Sequence, residues 1–159
     1  MAMRTSVTIA AVVGCLLTGC TRQVEEEPVE PTALVVTSWT DMTELFMEHP
    51  PFVAGEIIRF AVHLTDLTDF SAVNAGRPSI ELTPESGGPS VVLPGSEPLR
   101  PGAFRVEGTL PPAGQYRWAL IVDAPGLADR HDLGTTTVFA DEPAADADAV
   151  WARHVITLS

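Results

Sequence analysis

The chain has 159 residues, with 21 acidic side chains against nine basic ones, every basic one an arginine, and a formal net charge of −12. That balance excludes a nucleic-acid groove, because duplex phosphates would be repelled. The length leaves room for one core of about 100 to 140 residues, and 14 Pro and 12 Gly among short apolar runs predict many short strands joined by turns.

Residues 1–19 have a short basic start at Arg4 and an apolar run from Val7 to Leu17 that is too short to span a bilayer. This is the shape of a secretory signal peptide. The run closes on Leu17-Thr18-Gly19-Cys20, which resembles the lipobox of bacterial lipoproteins. The resemblance implies cleavage before Cys20, acylation of that residue and a membrane-tethered chain on the periplasmic side of the cell envelope. Several acyl chains on one residue suffice for a stable anchor. Thr21, rather than Asp, follows the lipidated position, which by the usual sorting rule favours the outer membrane over the inner. Residues 20–32, rich in Glu and Pro, cannot bury enough surface to offset their chain entropy and read as an acidic, flexible tether. Cys15 and Cys20 are the only cysteines, so the expected folded part, residues 33–140, has neither disulfide nor thiolate ligand.

Strand signals then follow in order. Leu34 to Trp39 opens the domain, and TELFME sets Leu45 and Met47 opposite Phe46 and Glu48. Pro50 and Pro51 forbid helix and mark a turn. From Gly55 to Thr65 the period-2 alternation is strong, with Ile58, Phe60, Val62 and Leu64 on one face and Arg59, Ala61, His63 and Thr65 on the other. Further strands are expected over Ser79 to Thr83, over SVVLPG, from Gly102 to Leu110, from Gly114 to Asp123 and from Leu133 to Ala140. Seven or eight short strands of this kind predict an all-β fold, an immunoglobulin-like antiparallel β-sandwich. Tyr116 sits after a Pro/Gly turn at the start of a strand, where such sandwiches place a corner tyrosine, and Trp118 takes the core position of a disulfide cysteine. Both are expected to be structural. Residues 141–159 read as an acidic linker and a tail in which Trp151, Val155 and Ile156 fit either a helical turn or a last strand.

The segments ELFMEHPPFVAGE and HDLG carry a family resemblance. Over residues 35 to 143 the chain is similar to the N-terminal region of periplasmic adaptor subunits of RND-type efflux systems, the membrane fusion protein family, and among them to adaptors of heavy-metal export. Such adaptors continue into a helical hairpin, a lipoyl-like domain and a barrel, and this chain stops about where those begin. The expectation is a free-standing relative of the N-terminal domain or a truncated product.

The resemblance implies two functional readings. In the first, the chain is a periplasmic lipoprotein accessory of heavy-metal efflux that binds a metal, a pump component, or both. Its candidate ligands are His49, His63, His131 and Met47, with Met42 a further thioether, since thioether and imidazole suit Cu(I) or Ag(I), and imidazole with carboxylate suits Cu(II) or Zn(II). The two readings part on whether the three imidazoles converge on one ion. The alternative is a structural or protein-interaction lipoprotein without a metal role, meeting its partner through the His-Pro-Pro turn and the Asp66 to Gly76 loop, or by strand addition. No enzymatic motif is present, and the pairs Asp66 with Asp69 and Asp129 with Asp132 read as solvated loop carboxylates.

Overall fold

In the computed structural model residues 33–148 are described; the leader, Cys20, the tether and residues 149–159 lie outside the described residues. Nine strands form: β1 (Leu34–Trp39), β2 (Thr43–His49), β3 (Ile57–Asp66), β4 (Ser71–Ala72), β5 (Ser79–Pro84), β6 (Val91–Pro94), β7 (Ala103–Thr109), β8 (Gly114–Ala124) and β9 (Leu127–Val138). One sheet runs β1-β2-β3, with β7 and the two-residue β4 sharing the far side of β3, and the other runs β6-β5-β8-β9. Every pairing between strands is antiparallel. The order β2-β3-β7 in one sheet and β9-β8-β5-β6 in the other is the Greek-key arrangement of an immunoglobulin-like sandwich, with β1 added outside the first sheet.

The alternation that identifies β3 also builds the core. Ile58, Phe60, Val62 and Leu64 point inward and are buried, while Arg59 and Ala61 lie exposed on the outer face. From β2 come Leu45 and Met47, from β5 Ile80 and Leu82, from β7 Phe104 and Val106, and from β8 Leu120 and Val122, all in one contiguous cluster. Burying one such side chain contributes roughly 1.5–3 kcal/mol. Met47, expected as a thioether ligand, is fully enclosed in this core.

Two boundaries differ from expectation. The connection after β3 carries the two-residue β4. More consequentially, β9 begins at Leu127 rather than Leu133, because β8 and β9 are joined by a tight turn at Pro125-Gly126. Proline presets φ for the first turn position, and Gly126 takes the positive φ of 79° that the second requires. Residues 128–132, a charged stretch that reads as a loop, are therefore strand. After β9, residues 142–148 form a short helix, α1, whose first turn is capped by Asp141 Oδ1 accepting from the Ala144 N–H at 3.0 Å.

The corner expected at Tyr116 is present. Its ring is buried and its hydroxyl donates to the Pro112 carbonyl at 2.8 Å, tying β8 to the turn that precedes it. Trp118, two residues on, is also buried, and its indole stands edge-on to Phe52 with centroids 5.2 Å apart. Replacing Tyr116 by Phe removes only the hydrogen bond, and chemical denaturation should show a loss of about 1 kcal/mol with an unchanged denaturant slope.

Candidate functional site

The three candidate histidines occupy three different environments. His49 is the last residue of β2 rather than part of the Pro-Pro turn, and it falls in the same inward file as Thr43, Leu45 and Met47. It is 6% exposed. Its Nδ1 lies 2.8 Å from the Pro50 carbonyl oxygen; a carbonyl only accepts, so Nδ1 carries the proton. The ring packs among Phe52, Phe60 and Trp118, with centroids 4.9, 5.3 and 5.5 Å away. Beside it is a cavity of about 290 Å³ whose lining includes Leu34, Phe52, Gln115 and Thr135, with no second imidazole and no thioether among the described residues that line it.

His63 lies mid-strand on the outer face of β3, half-buried, across from Phe46, with their ring centroids 6.0 Å apart. This is the surface-strand position expected of it.

His131 is inside β9, not in a turn before it, and is 1% exposed. It belongs to a polar chain between the two sheets that the sequence reading did not find. Asp129, two residues earlier on the same inward file of β9, accepts from the hydroxyls of Thr40 at 2.5 Å and of Thr43. The Thr43 hydroxyl also meets His131 Nε2 at 2.8 Å, and His131 Nδ1 meets Ser38 Oγ at 3.1 Å. Ionised Asp129 can only accept, so Thr43 spends its one proton on it and must accept from His131 Nε2–H. Nδ1 is then the bare nitrogen and accepts from the Ser38 hydroxyl. Every bond in the chain from Ser38 through His131 and Thr43 to Asp129 has a fixed direction. The Thr40 oxygen completes the corner by accepting from the backbone N–H groups of Met42 and Thr43, both at 3.0 Å. Among the described residues no buried side-chain nitrogen or oxygen lacks a partner.

The imidazoles do not converge. His131 is bonded to Thr43 at the start of β2 and His49 ends the same strand six residues later, which at about 3.3 Å per residue sets them roughly 20 Å apart. His63 is on the opposite face of that sheet. Among the described residues no three His, Cys, Asp or Glu side chains come together in a way that could hold a metal ion. Asp132 points outward and accepts from Arg130 Nε at 2.7 Å, as a solvated carboxylate would, whereas Asp129 is drawn inside. Asp66 and Asp69 serve the loop after β3, accepting from the backbone N–H groups of Thr68 and Ser71.

The chain matches no known protein family and no curated protein.

The signal that could have found the network is the inward file of β9 itself. In LADRHDL the residues Leu127, Asp129 and His131 alternate with Ala128, Arg130 and Asp132, a period-2 pattern whose inward members after Leu127 are polar. Hydrophobic alternation is blind to such a strand.

Electrostatics follow from the geometry. Burial pushes the His131 imidazole below its ordinary value, and the Asp129 carboxylate offsets part of that. Burial lowers His49 likewise, against the opposing pull of the Pro50 carbonyl. For Asp129 burial acts upward, but the hydroxyls of Thr40 and Thr43 outweigh it and hold the carboxyl below the usual range. A histidine whose folded pKa is depressed favours the fold in its neutral form. Its contribution is complete above the unfolded value of about 6.5 and is lost as pH falls from there towards the folded value. Denaturant midpoints should therefore fall between pH 7.5 and 5, with a further loss at lower pH as Asp129 is protonated. A flat profile from pH 7.5 to 5 would show that neither buried ring is held neutral.

Proposed function

We propose that this chain is a lipid-anchored, non-enzymatic accessory of the bacterial cell envelope that works by holding another protein. The lipobox-like segment ending in Cys20 supports the anchor. The observation that carries the interaction reading is the uncovered apolar surface on the outside of the first sheet. Val35 and Trp39 of β1 are 57% and 62% exposed, and Phe46 of β2 stands beside them at 38%. Single exposed apolar residues need no explanation, but neighbours on adjacent strands, with Thr37 directly across from Phe46 and Val35 and Trp39 flanking it, form a patch. The resemblance to RND adaptors makes a component of an efflux system the partner class to test first.

Metal handling by copper, silver or zinc is the second reading. It would rest on the outward ring of His63 and on Nε2 of His49, which no described residue engages, rather than on a shared three-imidazole centre. Titration of the purified chain with Cu(I), Ag(I), Cu(II) and Zn(II), followed by histidine-ring and methionine-methyl NMR, separates the two. The interaction reading expects the His49, His63, His131 and Met47 signals to stay in place at micromolar metal; saturable shifts confined to those residues, His63 and His49 first, would replace it with metal handling.

The anchor has its own test. Expressed in a bacterium fed labelled palmitate, the natural chain should take up label and pellet with membranes, and Cys20→Ser should do neither.

A further inference from the structure

Sandwiches protect the free edges of their sheets, because an unpaired row of N–H and C=O groups is a template for another strand. Three outer strands here follow that rule. β6 has four residues and ends on Pro94. β9 displays Arg130 and Asp132 outward. The free side of β7 is met by the segment before it, through Ser96 N–H to the Arg105 carbonyl at 2.7 Å and Leu99 N–H to the Ala103 carbonyl at 2.8 Å.

Among the described residues β1 has no such protection. Its sequence, LVVTSW, contains no charge and no proline, and its register on β2 runs without a bulge from Leu34↔His49 to Trp39↔Glu44. Among the described residues its only partner strand is β2. Side chains on both of its faces are open, Val35 and Trp39 on the outer one and Leu34, 38% exposed, on the inner one. Yet the strand is already ordered. Ser38 is bonded to buried His131, and the turn that follows is fixed by Thr40. A strand laid against it would order only itself.

We infer that β1 is a docking edge to which an extended segment of another protein adds as a strand, with apolar side chains on its inner face and Lys or Arg on its outer face. This deepens the interaction reading and rests on it. The chemistry of the segment comes from the neighbouring strand. Glu48 and Glu44 lie directly across from Val35 and Trp39 on the outer face. Glu44 accepts from the Trp39 indole N–H at 3.1 Å, and in the row of Glu48 the next cation is Arg105, beyond Ala61. A strand added to β1 lies about 4.8 Å from it and about 9.6 Å from β2, within reach of long basic side chains. A second copy is disfavoured, since it would bring the same carboxylates and another net charge of −12 to the edge.

The test uses the full chain in detergent and a capped peptide of five Val-Lys repeats. Comparators are a Val-Glu peptide and a Val-Lys peptide N-methylated at every residue, which has no N–H left to donate to a ladder. Amide exchange across β1 is read by NMR. The Val-Lys peptide should bind and slow exchange of the β1 amides that face away from β2 by about tenfold or more. Both comparators on the natural chain, and the Val-Lys peptide on the Thr37→Lys variant, whose new charge on the outer face of β1 repels the peptide's lysines, should bind at least about tenfold more weakly. Trp39→Ala should weaken binding without shifting the denaturation midpoint, which shows that the loss is not unfolding. Absence of binding overturns the inference. So does protection of those amides in the free chain at every dilution, which means that the chain covers its own edge, and protection that grows with chain concentration, which means a second copy. Binding without β1 protection sinks strand addition while leaving the interaction reading standing; failure of that reading shows separately, as metal-shifted histidine signals.

Discussion

One carboxylate fixes how the first strand is held. Asp129 sits between the sheets, below its ordinary pKa, and can only accept. From that single fact the proton positions on Thr40, Thr43, His131 and Ser38 follow in sequence, and the bonds run from β9 to the β1–β2 turn and back to β1 itself. β1 lies outside the Greek key and would otherwise depend on one strand pairing. Its inner face offers Leu34 and Val36 to the sandwich edge and little more. The polar chain replaces the missing apolar contact at the Ser38 end. Because the bonds are enclosed, the local dielectric strengthens them, and breaking one leaves a buried group unpaired at a cost of about 1–3 kcal/mol.

The opposite end of β2 is closed differently. There His49 joins Phe52, Phe60 and Trp118 in an aromatic cluster that closes this end of the core, in a sandwich without cysteines in its described residues. Trp118 stands where other sandwich domains place a disulfide half, and edge-to-face aromatic pairs of this kind add about 0.5–1.5 kcal/mol each beyond area burial. A neutral imidazole fits such a cluster, and a charged one does not. Two of the three histidines that the sequence offers as ligands are thus ones that the fold needs uncharged, His131 bonded to the start of β2 and His49 at its end.

What was legible in the sequence divides along the same line. β2, β3 and β8 announce themselves because their inward residues are apolar, and the Tyr116 corner because a turn and an aromatic stand in fixed order. The start of β9 was hidden because its inward file is Leu127, Asp129 and His131, and a strand that buries a carboxylate has no hydrophobic period to read. His49 reads as a turn residue because the prolines after it dominate the local signal. Extending the TELFME alternation by one residue would have put it inside. Side-chain partnerships across 86 to 93 residues of chain, such as Thr43 with Asp129 or His131 with Ser38, have no local signature at all.

On the docking proposed for β1, these constraints bear on function through that strand. A free edge is a hazard when it is loose, since a fraying strand exposes backbone and apolar side chains to any neighbour. It becomes a specific platform when it is held rigid, because only a segment with matching register and side chains gains from it. Here the strand is anchored by a buried polar chain, bordered by Glu44 and Glu48, and left uncovered on its outer face. Acidification would bear on both properties together. Protonating His131 turns Nδ1 from acceptor to donor, so the Ser38 hydroxyl must reverse, and the charge is brought into an enclosed site with only Asp129, 3.8 Å away, to balance it. The bond from Ser38 that ties β1 to β9 therefore keeps its present direction only while the His131 ring is neutral.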